Sequence, residues 1–142
     1  MPLYKTRAVV LRTFNLSEKD KLVTFFTETY GKVKCVAKAA RRLKSRFGAT
    51  LEPMSLVSLI YFGRENQELY RLNQSDIIRS FQEIREDPDK FYTAVYFLEL
   101  TESMVAEGHR DPEIFRLLVQ SLQESARTDH LETLCRLFEL RI

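Results

Sequence analysis

Apolar residues fall along this chain in two rhythms. Up to about residue 75 they come as short runs and alternations of the period-2 kind that strands require, and from about Phe81 they recur every three or four residues, as on one face of a helix. Residues 3–14 (LYKTRAVVLRTF) carry a run of apolar positions inside basic flanks and predict a first strand. The polar stretch 15–21 (NLSEKDK) interrupts, and residues 22–27 (LVTFFT) predict a second strand with apolar groups on both faces. Residues 28–31 (ETYG) end in glycine, which takes a positive φ at least cost, so the second and third strands are expected to form a hairpin. In the third strand, Val33, Cys35, Ala37 and Ala39 fall on one side and Lys32, Lys34, Val36 and Lys38 on the other. Residues 51–62 predict a fourth strand, with Pro53 tolerable only near its start or on an edge, and residues 69–73 a short fifth one after the turn GRENQE.

Five short strands joined by tight turns and one longer loop are too few for an immunoglobulin sandwich and suit a small barrel, and a five-stranded OB-fold fits the count. Beyond it, Asp87-Pro88-Asp89 reads as an N-cap, a first-turn proline and an acidic first turn, opening a long helix that Gly108 is expected to stop. Asp111-Pro112-Glu113 repeats the signal for a second helix ending near Arg127. Asp129 and Glu132 resemble a capping box before a third helix with Leu131, Leu134, Phe138 and Ile142 on one stripe. That stripe is still apolar and periodic at Ile142, so a continuation packing on these helices is expected, the helical part being truncated here. The reading is an α+β chain, with a five-stranded OB-fold barrel over residues 1–79 and an incomplete α-helical domain over 80–142.

With 142 residues and 44% hydrophobic positions the chain can bury a core, which excludes disorder as its main state. The net charge of +2 hides a division: residues 1–50 sum to +9 and residues 51–142 to −7. Seven of the basic residues lie between Gly31 and Gly48, which contains no acid: Lys32, Lys34, Lys38, Arg41, Arg42, Lys44 and Arg46. A basic strand running into a basic loop, here taken as mobile, is the pattern of a surface for a polyanion. Lys5, Arg7 and Arg12 interrupt any secretory pattern, and no stretch approaches the roughly 18 apolar residues of a spanning helix, so a cytoplasmic protein without a membrane partner is expected. Cys35 and Cys135 lie far apart without a companion His or Cys, so neither zinc nor a redox pair is indicated and no metal or cofactor is expected. His109 and His130 sit at predicted helix borders, Glu99 and Glu102 lack a nucleophile or metal beside them, and no phosphate-cradling glycine loop exists, so the chain does not read as an enzyme.

Thr27-Glu28 followed by Gly31-Lys32, then AKAARRLKSRFGATLEPMS from Ala37 to Ser55, and an Arg-x-Phe-Glu element at Arg136, Phe138 and Glu139 together resemble the N-terminal portion of the RecO family of bacterial recombination mediators. Ala39 stands where the family pattern has glycine. The resemblance implies an OB-fold followed by an α-helical domain, binding of single- and double-stranded DNA and annealing of complementary strands. It also implies action with RecR, recognition of the acidic C-terminal tail of single-strand-binding protein, help in loading RecA, and a nucleoid-associated location. The zinc-binding Cys cluster of some members lies outside this sequence, so nothing about metal is carried over.

For DNA, the candidate residues are therefore Lys32, Lys34, Lys38, Arg41, Arg42, Lys44 and Arg46, with Phe47 as a base-stacking aromatic that core packing also explains. Tyr61 and Tyr70 are weighed in the same two ways. For an acidic peptide ending in Phe, Arg136 is the candidate cation and Leu118, Leu134 and Leu137 the candidate walls of a groove. The competing readings are an adaptor that binds a partner peptide in that groove without DNA affinity, and an OB-type RNA-binding protein.

Overall fold

The computed structural model describes residues 2–42 and 45–142. Five strands, β1 (Leu3–Asn15), β2 (Lys21–Thr27), β3 (Gly31–Ala37), β4 (Leu56–Phe62) and β5 (Tyr70–Arg79), precede four helices, α1 (Gln82–Arg85), α2 (Pro88–Met104), α3 (Pro112–Arg127) and α4 (Leu131–Arg141). The strands close a barrel in the order β1-β2-β3-β5-β4, antiparallel except where β3 meets β5. This is the OB arrangement, and with the helices after it the architecture is α+β, as the strand count and period change lead one to expect.

β1 serves two neighbours: Leu3 to Val9 pair with Phe62 to Leu56 of β4, while Ala8 to Asn15 pair with Thr27 to Lys21 of β2. A strand shared in this way must bend, and it does so at a bulge between Val10 and Arg12. The same sharing explains the uninterrupted run Ala8-Val9-Val10-Leu11. Ala8 and Val10 fill the barrel with Phe25, Val33, Cys35 and Leu59, whereas Val9 and Leu11 face outward with Phe26 into a second core built with the helices. There Phe26 meets the edge of Phe115 at 5.8 Å, and Phe97 stacks on Phe138 at 4.4 Å.

Helix starts follow their signals. Asp87 Oδ1 accepts from the Asp89 and Lys90 amides at 3.1 and 3.3 Å, and Asp111 Oδ1 from Ile114 at 3.2 Å. Four expectations need correction. β4 begins at Leu56 rather than at 51, because residues 48–51 turn as a 3-10 helix and Met54 adopts φ +72 after Pro53. β5 runs on to Arg79 rather than stopping at 73, since Ser75 occupies a buried position where an apolar residue would have kept the alternation legible. α2 ends at Met104, and Gly108 lies in the connection beyond it, where its N–H donates to the Lys32 carbonyl at 3.0 Å. α4 is preceded by His130 without a side-chain cap, so Asp129 forms no capping box.

Gly31 is required twice over. Its φ is +73, and a Cβ there would collide with the His109 backbone. That close approach seats the α2–α3 connection against β3.

Candidate nucleic-acid interface

On β3 the burial alternates as the pattern predicts, with Val33, Cys35 and Ala37 inside and Lys32, Lys34 and Val36 partly exposed. Burial pushes the Cys35 thiol pKa up, which leaves it an inert core residue. The strand lysines are not unpaired, however. Lys32 Nζ donates to the Glu102 carbonyl at 3.3 Å, and Lys34 pairs with Glu107 at 3.1 Å. Lys32 thus meets only a main-chain carbonyl of α2, the Glu102 carboxylate being paired with Arg12, whereas Lys34 gains an acidic partner from the α2–α3 connection, some 70 residues away, that local composition cannot reveal.

Lys34 is compensated, whereas no described carboxylate compensates Lys32, and the cationic surface continues past the far end of β3. Lys38 is about half exposed and lies 3.4 Å from Asp20, whose other oxygen accepts the Ala39 amide at 2.8 Å. The Ala39 N–H, aided by Lys38, holds the Asp20 carboxyl below the usual carboxylate range. Ala39 has φ +60, the left-handed region in which an alanine costs about 1–2 kcal/mol. A family pattern with glycine here is thus a backbone requirement that this chain meets under strain. Ala39→Gly, after allowance for the freer unfolded chain, is expected to raise stability by about 0.5–1 kcal/mol in urea unfolding, and a loss of stability would contradict the strain.

Past this junction the loop is tethered. The Arg41 amide donates to the Lys19 carbonyl at 3.0 Å and its guanidinium to the Ser17 carbonyl at 2.6 Å, joining it to the β1–β2 turn. Arg42 N donates to Ala39 O at 3.2 Å, and Ser45 N to Arg42 O at 3.0 Å. Arg41 thus fastens the start of the loop to the β1–β2 turn, residues 43 and 44 lying outside the described residues. Phe47 supplies the second fastening: only 1% exposed, it sits in the barrel core and is withdrawn as a base-stacking residue. Arg46 lies over its ring at 4.9 Å and remains exposed. Lys44 lies outside the described residues. Arg41, Arg42 and Arg46 are exposed and make no ion pair with a described side chain.

The two tyrosines are also placed by packing. Tyr61 is 1% exposed, and Tyr70 lies 5.1 Å from it in a cluster completed by Tyr4 and Tyr30 at one mouth of the barrel. Glu65, Glu68 and Glu107 stand around that mouth together with Lys32 and Lys34, so its charge is mixed.

In the helical half, a groove of about 550 Å³ runs between α3 and α4. Leu134 and Leu137 line it, but Leu118 is fully buried beneath and Arg136 lies off the groove, paired with Glu139 at 2.9 Å. The cations at its rim are Arg79, Arg127 and Arg141. Arg127 pairs with Glu124 and Arg79 with Glu83, whereas Arg141 has no such partner among the described residues. The strand and helix-terminal arginines Arg79 and Arg141 meet only through the fold, so no local motif could have indicated them.

Among the described residues no three His, Cys, Asp or Glu side chains converge as metal ligands, and no helix is long and apolar enough to cross a membrane. What the fold and surface define is a small OB barrel with a cationic rim, backed by a helical layer with an arginine-rimmed apolar groove.

Residues 1–81 match the family described as Recombination protein O N terminal, and residues 85–142 match Recombination protein O C terminal. The chain is 38% identical over 145 residues to the DNA repair protein RecO of Clostridium kluyveri, covering all of this chain and 55% of that one. It is 36% identical over 141 residues to the DNA repair protein RecO of Alkaliphilus metalliredigens, covering 99% and 56%. The chain belongs to the RecO family. It spans about half the length of these relatives.

Proposed function

We propose that this chain binds DNA through the cationic rim at the end of β3 and acts as a mediator in recombinational repair, without catalysing a covalent step. The observation that carries the reading is the exposed trio Arg41, Arg42 and Arg46 beside Lys38, with Arg41 bonded to the β1–β2 turn and Lys38 shared with Asp20. Such a surface neutralises phosphates and releases their counterions, which suffices to hold single or double strands and to bring complementary strands together for annealing. The family relation supports extending this to RecA loading on DNA covered by single-strand-binding protein, together with RecR, at the nucleoid. If Lys38, Arg41, Arg42 and Arg46 each take one phosphate, log affinity for single-stranded DNA should fall with log salt at a slope of about −3. Fluorescence anisotropy across a salt series reads that slope, and a slope near zero would refute the phosphate contacts. Competition with an RNA strand of the same sequence separates the DNA reading from that of an RNA-binding protein.

A second surface is favoured by the groove between α3 and α4. Its apolar floor at Leu134 and Leu137 suits an aromatic side chain, and Arg141 at the rim suits a carboxylate, together fitting the acidic tail of single-strand-binding protein. Calorimetry with an acidic peptide ending in Phe should show Arg141→Ala weakening binding by about tenfold, a charged hydrogen bond being worth about 1.5–3 kcal/mol. Arg136→Ala, off the groove, should change little, and the opposite ranking would return the site to Arg136.

A further inference from the structure

We propose that the apolar cleft outside the β3–β5 seam is a nucleobase subsite, receiving the face of one unpaired base from a single strand whose phosphates lie on the adjoining cationic rim. The proposal rests on the DNA-binding reading and adds to it a place where bases, not phosphates, are held.

The seam explains why a cleft forms there. β3 and β5 pair only at Cys35 with Tyr70 and Val36 with Arg71, so the barrel wall is narrowest at this point. Side chains from three strands and three loops converge over it, with Leu16, Val36, Phe62, Leu69 and Tyr70 as walls and Lys38 and Arg71 as the lining cations, around about 350 Å³. Leu16 and Leu69 are 48% and 42% exposed, although each stands on a turn where a polar residue would be the ordinary choice. Arg71 lies 5.6 Å over the Phe62 ring and makes no ion pair with a described residue, so its guanidinium plane is available.

The loop that carries Leu69 is shaped beforehand. The Arg64 amide donates to Gln67 Oε1 at 2.6 Å and the Gln67 amide to Arg64 O at 3.2 Å, folding the Gln67 side chain back over Gly63. A Cβ at Gly63 would collide with that side chain, so the glycine is what permits the arrangement.

A nucleobase presents an apolar π face with no net charge, and aromatic rings and guanidinium planes, here Phe62, Tyr70 and Arg71, are surfaces on which it stacks, with Leu16 and Leu69 closing the cleft at its sides. Lys38 belongs both to the cleft and to the rim that continues into Arg41, so a base in the cleft keeps its own phosphate over cationic side chains. Paired bases have their faces covered, which confines the subsite to single strands. The tyrosine-lined mouth offers more aromatic area but is the poorer candidate. Tyr4 and Tyr61 stack on each other and the other pairs meet edge to face, and Glu65, Glu68 and Glu107 outnumber Lys32 and Lys34 in its lining.

The test compares a thymidine oligonucleotide with a strand of equal length in which central nucleotides are replaced by abasic sites, the phosphates being kept. By anisotropy the unaltered chain should bind the abasic strand more weakly by about fivefold to a hundredfold, the range for loss of one stacked base. Leu16→Ser with Leu69→Ser, neutral changes at exposed positions, should erase that difference while leaving the salt slope unchanged. Equal binding of both strands by the unaltered chain, or a difference that survives in the double variant, overturns the subsite and leaves the cationic rim standing. Absence of binding to either strand overturns both.

Discussion

Replacement of Arg41, Arg42 and Arg46 together by glutamate is expected to weaken single-strand binding at about 50 mM salt by at least several hundredfold. The size follows from counterion release. A slope of about −0.7 per phosphate, taken over the roughly 1.3 decades between about 50 mM and about 1 M salt, gives each contact a factor of about eight. Three contacts multiply to about five hundred, and the introduced carboxylates add repulsion. The residual salt slope should fall to below about one, because Lys38 alone among the placed cations of the rim remains and is shared with Asp20. Stability should change little, since the side-chain losses are surface interactions such as the Arg41 bond to the Ser17 carbonyl. A triple variant that binds within about threefold of the unaltered chain at low salt would show that the phosphates lie elsewhere.

For stability, the largest single effect is expected from Phe26→Ala, a loss of about 3–5 kcal/mol. Phe26 is fully buried and projects from the outer face of β2 against Phe115, in a core that also takes Val9 and Leu11 from β1 and Phe97, Leu118 and Phe138 from the helices. No relaxation of one layer alone can fill the vacated volume, because both layers line it. The fluorescence of a Leu3→Trp reporter, placed at an exposed position of β1 in a chain without tryptophan, and the far-ultraviolet signal of the helices should then shift together in urea unfolding. Separate transitions would show that the shared core does not couple the two layers.

How much of this was readable from the chain depended on how far apart the interacting residues lie. The alternation of β3, the hairpin at Gly31, the caps at Asp87 and Asp111 and the strand number are decided by neighbours within a few positions, and each has a local signature. The two-sided burial of β1 was visible as a run without alternation, although what covers the second face was not. Where sequence reasoning failed, a distant partner decided the outcome. Lys34 looks like a free cation until Glu107 arrives in the connection after α2. Phe47 looks like a loop aromatic until the loop is seen to fold it back into the barrel. Leu118 and Leu134 share a helical periodicity, yet one lies in the core and the other lines the groove, a distinction made by the angle between α3 and α4 rather than by spacing.

The approach of the α2–α3 connection to β3 also has a bearing on solubility. β3 is paired along its whole length with β2, but β5 meets it only at Cys35 and Val36. The stretch from Gly31 to Lys34 would otherwise present unpaired amides and carbonyls, an edge on which a strand from another molecule could add. Glu107 forms a parallel bridge to Lys32, and the Gly108 amide takes the Lys32 carbonyl at 3.0 Å, so the opening is stopped by the molecule's own backbone. The helical half thus does for the barrel what a closing hydrogen-bonded strand would do, shielding it from runaway β-addition.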